Sequence, residues 1–172
     1  MRFRSAAVRG PARFVVGQAR LADLAALAEL QAAAEDAERV FSPDLGTRQP
    51  DRRHARRCFK RTIHNAEQRT FVARAGGRLV GMLGVDLRRL NYRHYVVRRY
   101  AYVHSLFVEP AYRGAGLARR LVRHGLQWAR RRGARQARLE MASANRVARR
   151  LYESFGFAPR ETMFTLDLDR GR

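Results

Sequence analysis

A chain of 172 residues, 46% apolar and 30% charged, is long enough to bury a core without cross-links and too apolar to stay disordered. Its one cysteine, Cys58, excludes an internal disulfide and a cysteine-built zinc site, and no apolar run reaches the length of a membrane span. The net charge of +21, with Lys60 the only lysine among 36 basic residues, predicts attraction to polyanions such as coenzyme A, RNA or DNA.

The arginines run along the whole chain and lack the interleaved aromatic residues of a base-stacking surface. The expectation is therefore nonspecific affinity for nucleic acid and not a dedicated nucleic-acid function. His54, His64, His94, His104 and His124 show no metal-ligand spacing, and no signal-peptide core follows Met1-Arg2-Phe3-Arg4. A cytoplasmic protein with no membrane association is expected.

Taken in order, residues 1–12 carry Arg2, Arg4 and Arg9 with Gly10-Pro11 and no periodicity, the pattern of a flexible basic arm. Phe14-Val15-Val16 reads as a short strand. Asp23 is placed to cap a helix whose Leu24, Leu27, Ala28 and Leu30 share a face. That helix ends in an acidic cluster of Glu29, Glu35, Asp36 and Glu38, either a solvated face or a lure for a small amine. Residues 42–46 form a loop, and a second helix is expected over 51–66 with Ala55, Cys58, Phe59 and Ile63 inward. Residues 70–75 and 79–87 alternate as strands around Gly76-Gly77, a hairpin signal. Asp86 either meets a substrate amine or begins a turn. The basic, tyrosine-rich residues 88–100 either extend this hairpin or fold over a site.

Residues 102–108 are aromatic and β-branched, as half-buried strands are, and Glu109-Pro110 ends them. Leu117, Leu121, Val122, Gly125, Trp128 and Ala129 then recur with a helical period, and Gly133 stops the helix. Gly114 and Gly116 fall where the backbone turns and exposes its N–H groups at a helix start. Such a start holds phosphate well, and Arg113, Arg119 and Arg120 add charged donors. By itself the stretch fits an ordinary strand–turn–helix equally well.

A short strand over 137–141 leads to Asn145, a helix cap, and to a helix with Val147, Ala148, Leu151 and Phe155 inward. Gly156 ends it, and residues 163–168 alternate as a last strand. Read without any family, Tyr152 is a core aromatic and Glu140 an ion-pair partner for an arginine. The succession fits a single domain over 13–172, one mixed sheet with helices on both faces.

Two motifs carry a resemblance. Arg113-Gly114-Ala115-Gly116-Leu117-Ala118 is similar to the Arg/Gln-x-x-Gly-x-Gly/Ala signature of the GNAT superfamily of N-acetyltransferases, and no Gly-Lys-Ser/Thr makes it a nucleoside-triphosphate loop. Asn145, Ala148, Leu151, Tyr152, Gly156 and Phe157 complete a second GNAT signature, Asn-x-x-Ala-x-x-Leu-Tyr-x-x-x-Gly-Phe. The resemblance covers residues 70–158 and is locally nearest to the ribosomal-protein alanine N-acetyltransferase branch.

It implies an α/β fold whose central, mostly antiparallel twisted sheet has six or seven strands and a splayed parallel pair. It implies transfer of the acetyl group of acetyl-CoA to a primary amine in a ternary complex, with no metal. Leu106, Phe107 and Val108 would pair with the pantetheine arm. Arg113, Gly114, Ala115, Gly116, Leu117, Ala118 and Arg119 would hold the pyrophosphate, and Asn145 would touch the cofactor. Glu140 corresponds to the family's general base and Tyr152 to its general acid, with His104 or Tyr102 as alternative bases. Where the family places a terminal hairpin of two strands, this chain has room for one; the other is missing or comes from a second subunit, as in a homodimer. The alternative is a non-catalytic module that binds coenzyme A, RNA or the ribosome through its basic surface.

Overall fold

A computed structural model describes residues 14–41, 49–90, 94 and 96–164. They belong to two compact units, Met1–Glu140 and Met141–Arg172. The first is built on a five-stranded sheet whose strands lie in chain order: β1 (Phe14–Gln18), β2 (Gln68–Ala75), β3 (Arg78–Arg89), β4 (Arg99–Val108) and β5 (Gln136–Arg138). The pairs from β1 to β4 are antiparallel, and β4 with β5 is parallel. The order follows from the connections. Two-residue turns such as Gly76-Gly77 bring antiparallel neighbours together, whereas a parallel neighbour needs the crossover that helix α3 (Leu117–Arg131) supplies.

Helices α1 (Leu24–Glu38) and α2 (Arg52–His64) cover one face. Leu27 and Leu30 of α1 pack with Val72, Leu79, Met82 and Phe107 of the sheet, joined by Phe59 of α2. Helix α3 covers the other face, with Leu121, Val122, Trp128 and Ala129 buried and Trp128 edge-on to Phe71 at 6.3 Å. Gly125 lets this helix sit tight on β3, because a Cβ there would lie 2.7 Å from Leu83 Cδ2 and 2.9 Å from Val85 Cγ2. A glycine in a helix interior costs about 1 kcal/mol relative to alanine, a cost that close packing offsets here.

Several local expectations change. Asp23 does not cap α1; its carboxylate accepts from Arg20 N at 2.7 Å, closing the 3-10 turn Leu21–Asp23, and pairs with Arg74 at 2.6 Å. Three of the four acidic residues of α1 already have partners: Glu29 with Arg52 at 2.8 Å, Glu35 with Gln31 at 3.0 Å, and Asp36 with Arg39 at 3.2 Å. The solvated-face alternative thus describes them. Of the 88–100 stretch, Arg88, Arg89 and Leu90 continue the β3–β4 hairpin, with Arg88 paired to Tyr100, Arg89 to Arg99 and Leu90 N donating to Arg98 O at 2.7 Å, while 91–93 and 95 lie outside the described residues. Strand β5 stops at Arg138, shorter than the expected 137–141.

In the second unit, α4 (Arg146–Glu153) begins at Asn145, whose Oδ1 accepts from Ala148 N at 3.0 Å. Val147, expected inward, is 82% exposed, and Tyr152 is the buried residue of α4. Residues 1–12, the 42–46 loop and the 165–168 part of the expected last strand lie outside the described residues. Met163 and Phe164 are exposed and not in a strand.

Candidate active site

Strand β4 is irregular where the sequence reads as an ordinary strand. Met82 pairs with Phe107 and Gly84 with His104, so Leu83 faces two residues, Ser105 and Leu106. This is a β-bulge, and Ser105 occupies it at φ 51°, a left-handed conformation rare outside glycine. On the other edge, the parallel ladder to β5 holds only Tyr100 to Gln136, Ala101 to Ala137 and Tyr102 to Arg138. The ladder ends at Tyr102, and among the described residues that edge of β4 has no ladder through Leu106, Phe107 and Val108.

The chain leaves β4 through Glu109, anchored by its N–H to Val80 O at 2.9 Å and by its carboxylate to Arg78 at 2.6 Å. After the turn Pro110–Tyr112, Arg113 reaches back: its Nε donates to Val108 O at 3.0 Å and its guanidinium lies 5.8 Å from the Phe107 ring centre. Arg113 therefore braces the loop against the strand end. Gly114 (φ 81°) and Gly116 (φ 75°) are exposed, and a Cβ on either would meet nothing within 4 Å. Backbone conformation, not crowding, demands glycine here. Gly116 is the N-cap of α3 and offers no side-chain cap to the first-turn amides that follow it, such as those of Leu117 and Ala118. Arg120 is committed elsewhere, donating to Phe14 O at 2.9 Å. An open glycine loop at a positive helix end, braced by arginine, fits a diphosphate.

A second group lies on the same face of β3 as Met82, further along the strand from the contact with α1. Register sets Gly84, Asp86 and Arg88 of β3 opposite His104, Tyr102 and Tyr100 of β4. His104 Nε2 lies 3.2 Å from Asp86 Oδ1 and its Nδ1 3.1 Å from Ser105 Oγ. The ring lies flat over Gly84, where a Cβ would come within 2.2 Å of its Cε1. Tyr102 stacks on His104 at 5.9 Å, and Arg88 lies over Tyr102 at 3.7 Å while bonding Asp86 Oδ2 at 3.3 Å. Burial works to raise the Asp86 carboxyl, but the hydrogen bond and charge of His104, with Arg88, outweigh it and hold Asp86 below the ordinary carboxylate range. Glu140, exposed just past β5, stands near enough that, after burial, its charge helps raise the Tyr102 phenol.

In the second unit, Tyr152 is 8% exposed, edge-on to Phe157 at 5.7 Å, and burial pushes its phenol up to about 12. It remains a proton donor at neutral pH. Asn145 spends its side-chain oxygen on α4. Sequence reading missed Ser105 and Arg88 and treated Gly84 as an ordinary strand residue. Glycine inside a strand, the usual mark of a close approach, was the available signal.

A splayed parallel pair beside an open helix start defines the N-acetyltransferase type of α/β fold. The sequence model of the acetyltransferase (GNAT) family matches residues 28–157, and the chain belongs to that family. It is 37% identical over 101 residues to the N-alpha-acetyltransferase RimI of Mycobacterium tuberculosis, covering 58% of each chain. It is also 37% identical over 95 residues to the streptothricin acetyltransferase of Streptomyces lavendulae, covering 55% of this chain and 47% of that one. The chain spans about half the length of the curated relatives it matches. In fold it is similar to a protein of Clostridium acetobutylicum described as a predicted acetyltransferase and solved with acetyl-CoA (TM-score 0.75, 16% identity, 91% of this chain and 97% of that one).

Proposed function

We propose that this chain is an acetyl-CoA-dependent N-acetyltransferase acting by direct attack of a primary amine in a ternary complex. The observation that carries this is the open glycine loop and uncapped start of α3, next to a strand edge without a partner. The family match runs from residue 28 to 157, across residue 140, which supports reading 13–172 as one domain. Bound acetyl-CoA supplies an activated acyl group as a thioester. Leu106, Phe107 and Val108 offer backbone groups to its pantetheine arm. Arg113, Gly114, Ala115, Gly116, Leu117, Ala118 and Arg119 hold its pyrophosphate, with Asn145 contributing through its amide.

An amine is cationic at neutral pH and must lose a proton before it attacks. Glu140, exposed beside Tyr102, takes that proton and passes it to water. Tyr152, whose phenol stays protonated, returns a proton to the departing sulfur. Holding thioester and amine together supplies much of the remaining acceleration. Equal identity to an enzyme named for protein N-termini and to one named for an antibiotic leaves identity unable to choose the acceptor. Charge does discriminate: at +21 the chain repels polycationic acceptors and favours anionic amines or acidic peptides.

The test is a panel of peptides, amino acids, polyamines and antibiotics, read by free-thiol release, after confirming that acetyl-CoA raises the melting temperature. Turnover with an anionic acceptor is expected. Binding without turnover across the panel would favour the non-catalytic module, whose support is the net charge alone.

A further inference from the structure

The nitrogen of an ammonium acceptor loses two protons on becoming an amide nitrogen. One ends on the coenzyme sulfur and one in water. Glu140 accounts for the first departure, before attack. At the moment the C–N bond forms, the nitrogen is again positively charged and a second proton must leave. We propose, resting on the acetyl-transfer reading above, that the chain Ser105–His104–Asp86 carries this second proton.

Three observations support the assignment. First, the chain is continuous: Ser105 Oγ to His104 Nδ1 is 3.1 Å, and His104 Nε2 to Asp86 Oδ1 is 3.2 Å. An ionised Asp86 can only accept, so Nε2 carries the ring hydrogen, and Nδ1 is left as an acceptor for the serine hydroxyl. Second, the geometry is built and not incidental. Consecutive residues of a regular strand point to opposite faces, so a serine following His104 would normally turn away from it. The left-handed φ of 51° at Ser105 undoes that alternation, and Gly84 removes the Cβ that would occupy the ring's position. Strain of this kind costs about 1–3 kcal/mol and gathers at functional sites. Third, the location suits the task. Ser105 adjoins Leu106, the first residue assigned to the coenzyme arm, at the point where the β4–β5 ladder has ended.

The step balances without any added reagent. The Ser105 hydroxyl takes the second proton from nitrogen as its own hydrogen passes to Nδ1. The resulting imidazolium is held by the Asp86 carboxylate, which Arg88 also bonds at 3.3 Å, and releases its proton to water after product leaves, while water reprotonates Tyr152, so that one proton net reaches solvent. Tyr100, Tyr102, Arg88 and Glu140 are further titratable groups here, and the hydrogen-bond partners of the ring nitrogens are Asp86 and Ser105. Asp86 acts through His104 and is a positioning residue.

The test uses the full chain in two arms. ¹⁵N NMR of the neutral wild-type imidazoles should show His104 as the Nε2–H tautomer with Nδ1 as a bare acceptor. The Nδ1–H tautomer overturns the proposal, since the ring then has no lone pair for the serine hydrogen. In steady-state assays His104→Gly should lower kcat about 10²-fold or more, with added imidazole restoring a large part and KM for acetyl-CoA unchanged. His104→Gln, which keeps a polar donor toward Asp86, guards against a folding defect and should show the same loss. Wild-type kcat in both variants, or a loss that imidazole does not relieve, overturns the relay. A wild-type chain that releases no thiol with any acceptor overturns the acetyl-transfer reading and the relay's role with it. Turnover with the wrong tautomer overturns the relay alone.

Discussion

The proposed coenzyme end of the site and its proposed acceptor face are built in different ways. The loop from Arg113 to the first turn of α3 is made of neighbours in sequence, and its working groups are backbone amides set by two left-handed glycines. The group of Asp86, Arg88, Tyr102, His104 and Glu140 draws side chains from two strands and from the segment just past β5, joined by register and by one bulge. A local, backbone-made site tolerates change in its side chains and fails when its φ angles change. A site assembled from distant side chains behaves the other way round. Damage to one end should therefore appear in coenzyme affinity, and damage to the other in turnover.

The largest separation is expected at the proton donors and acceptors. Tyr152→Phe should lower kcat by about 10²- to 10⁴-fold, with acetyl-CoA affinity measured by calorimetry essentially unchanged. Turnover equal to wild type would remove its acid role. Glu140→Gln should lower kcat by about 10²-fold and erase the acid limb of the pH–rate profile; an intact limb moves the first proton acceptor elsewhere.

Next comes the converse. Gly116→Val has open space around it but forces a β-branched residue to φ 75°, costing about 1–3 kcal/mol in the loop. Acetyl-CoA should bind roughly 10- to 100-fold more weakly on that energy, with kcat at saturation near wild type. A variant that loses kcat and keeps affinity would break the division between the two ends. Gly84→Ala should do the opposite, pushing His104 aside, lowering kcat with coenzyme affinity intact, and costing about 1–3 kcal/mol of stability.

The smallest effect concerns acid. Asp86 has its folded pKa depressed below its unfolded value, so it contributes stability above about pH 4 that is lost as pH falls through the folded pKa. Asp86→Asn lacks that contribution. The melting-temperature gap between wild type and variant should be constant near neutrality and close below about pH 4. A gap that stays open in acid means that Asp86 stabilises by packing and not by charge.

The elements of the first unit were largely legible because each is announced by neighbours. The Gly76-Gly77 turn, the helical period from Leu117 to Ala129 and the Gly133 stop all act within a few residues. Asp23 was misread because a carboxylate beside a helix start has more than one amide in reach, and Arg74, which pairs with it, is 51 residues away. Val147 was misread because a short helix with several apolar residues does not say which one faces inward.

What the amino-acid order determined alone is the turn into α3: glycines at φ values other residues resist, placed directly before a run with a helical period. Chain geometry within a few residues suffices for that. What only the tertiary structure decided is that Asp86, His104 and Ser105 form one hydrogen-bonded line. That depends on an antiparallel register between β3 and β4 and on a bulge that adds a residue to one side. A slip of a single position would send every one of these side chains to the opposite face.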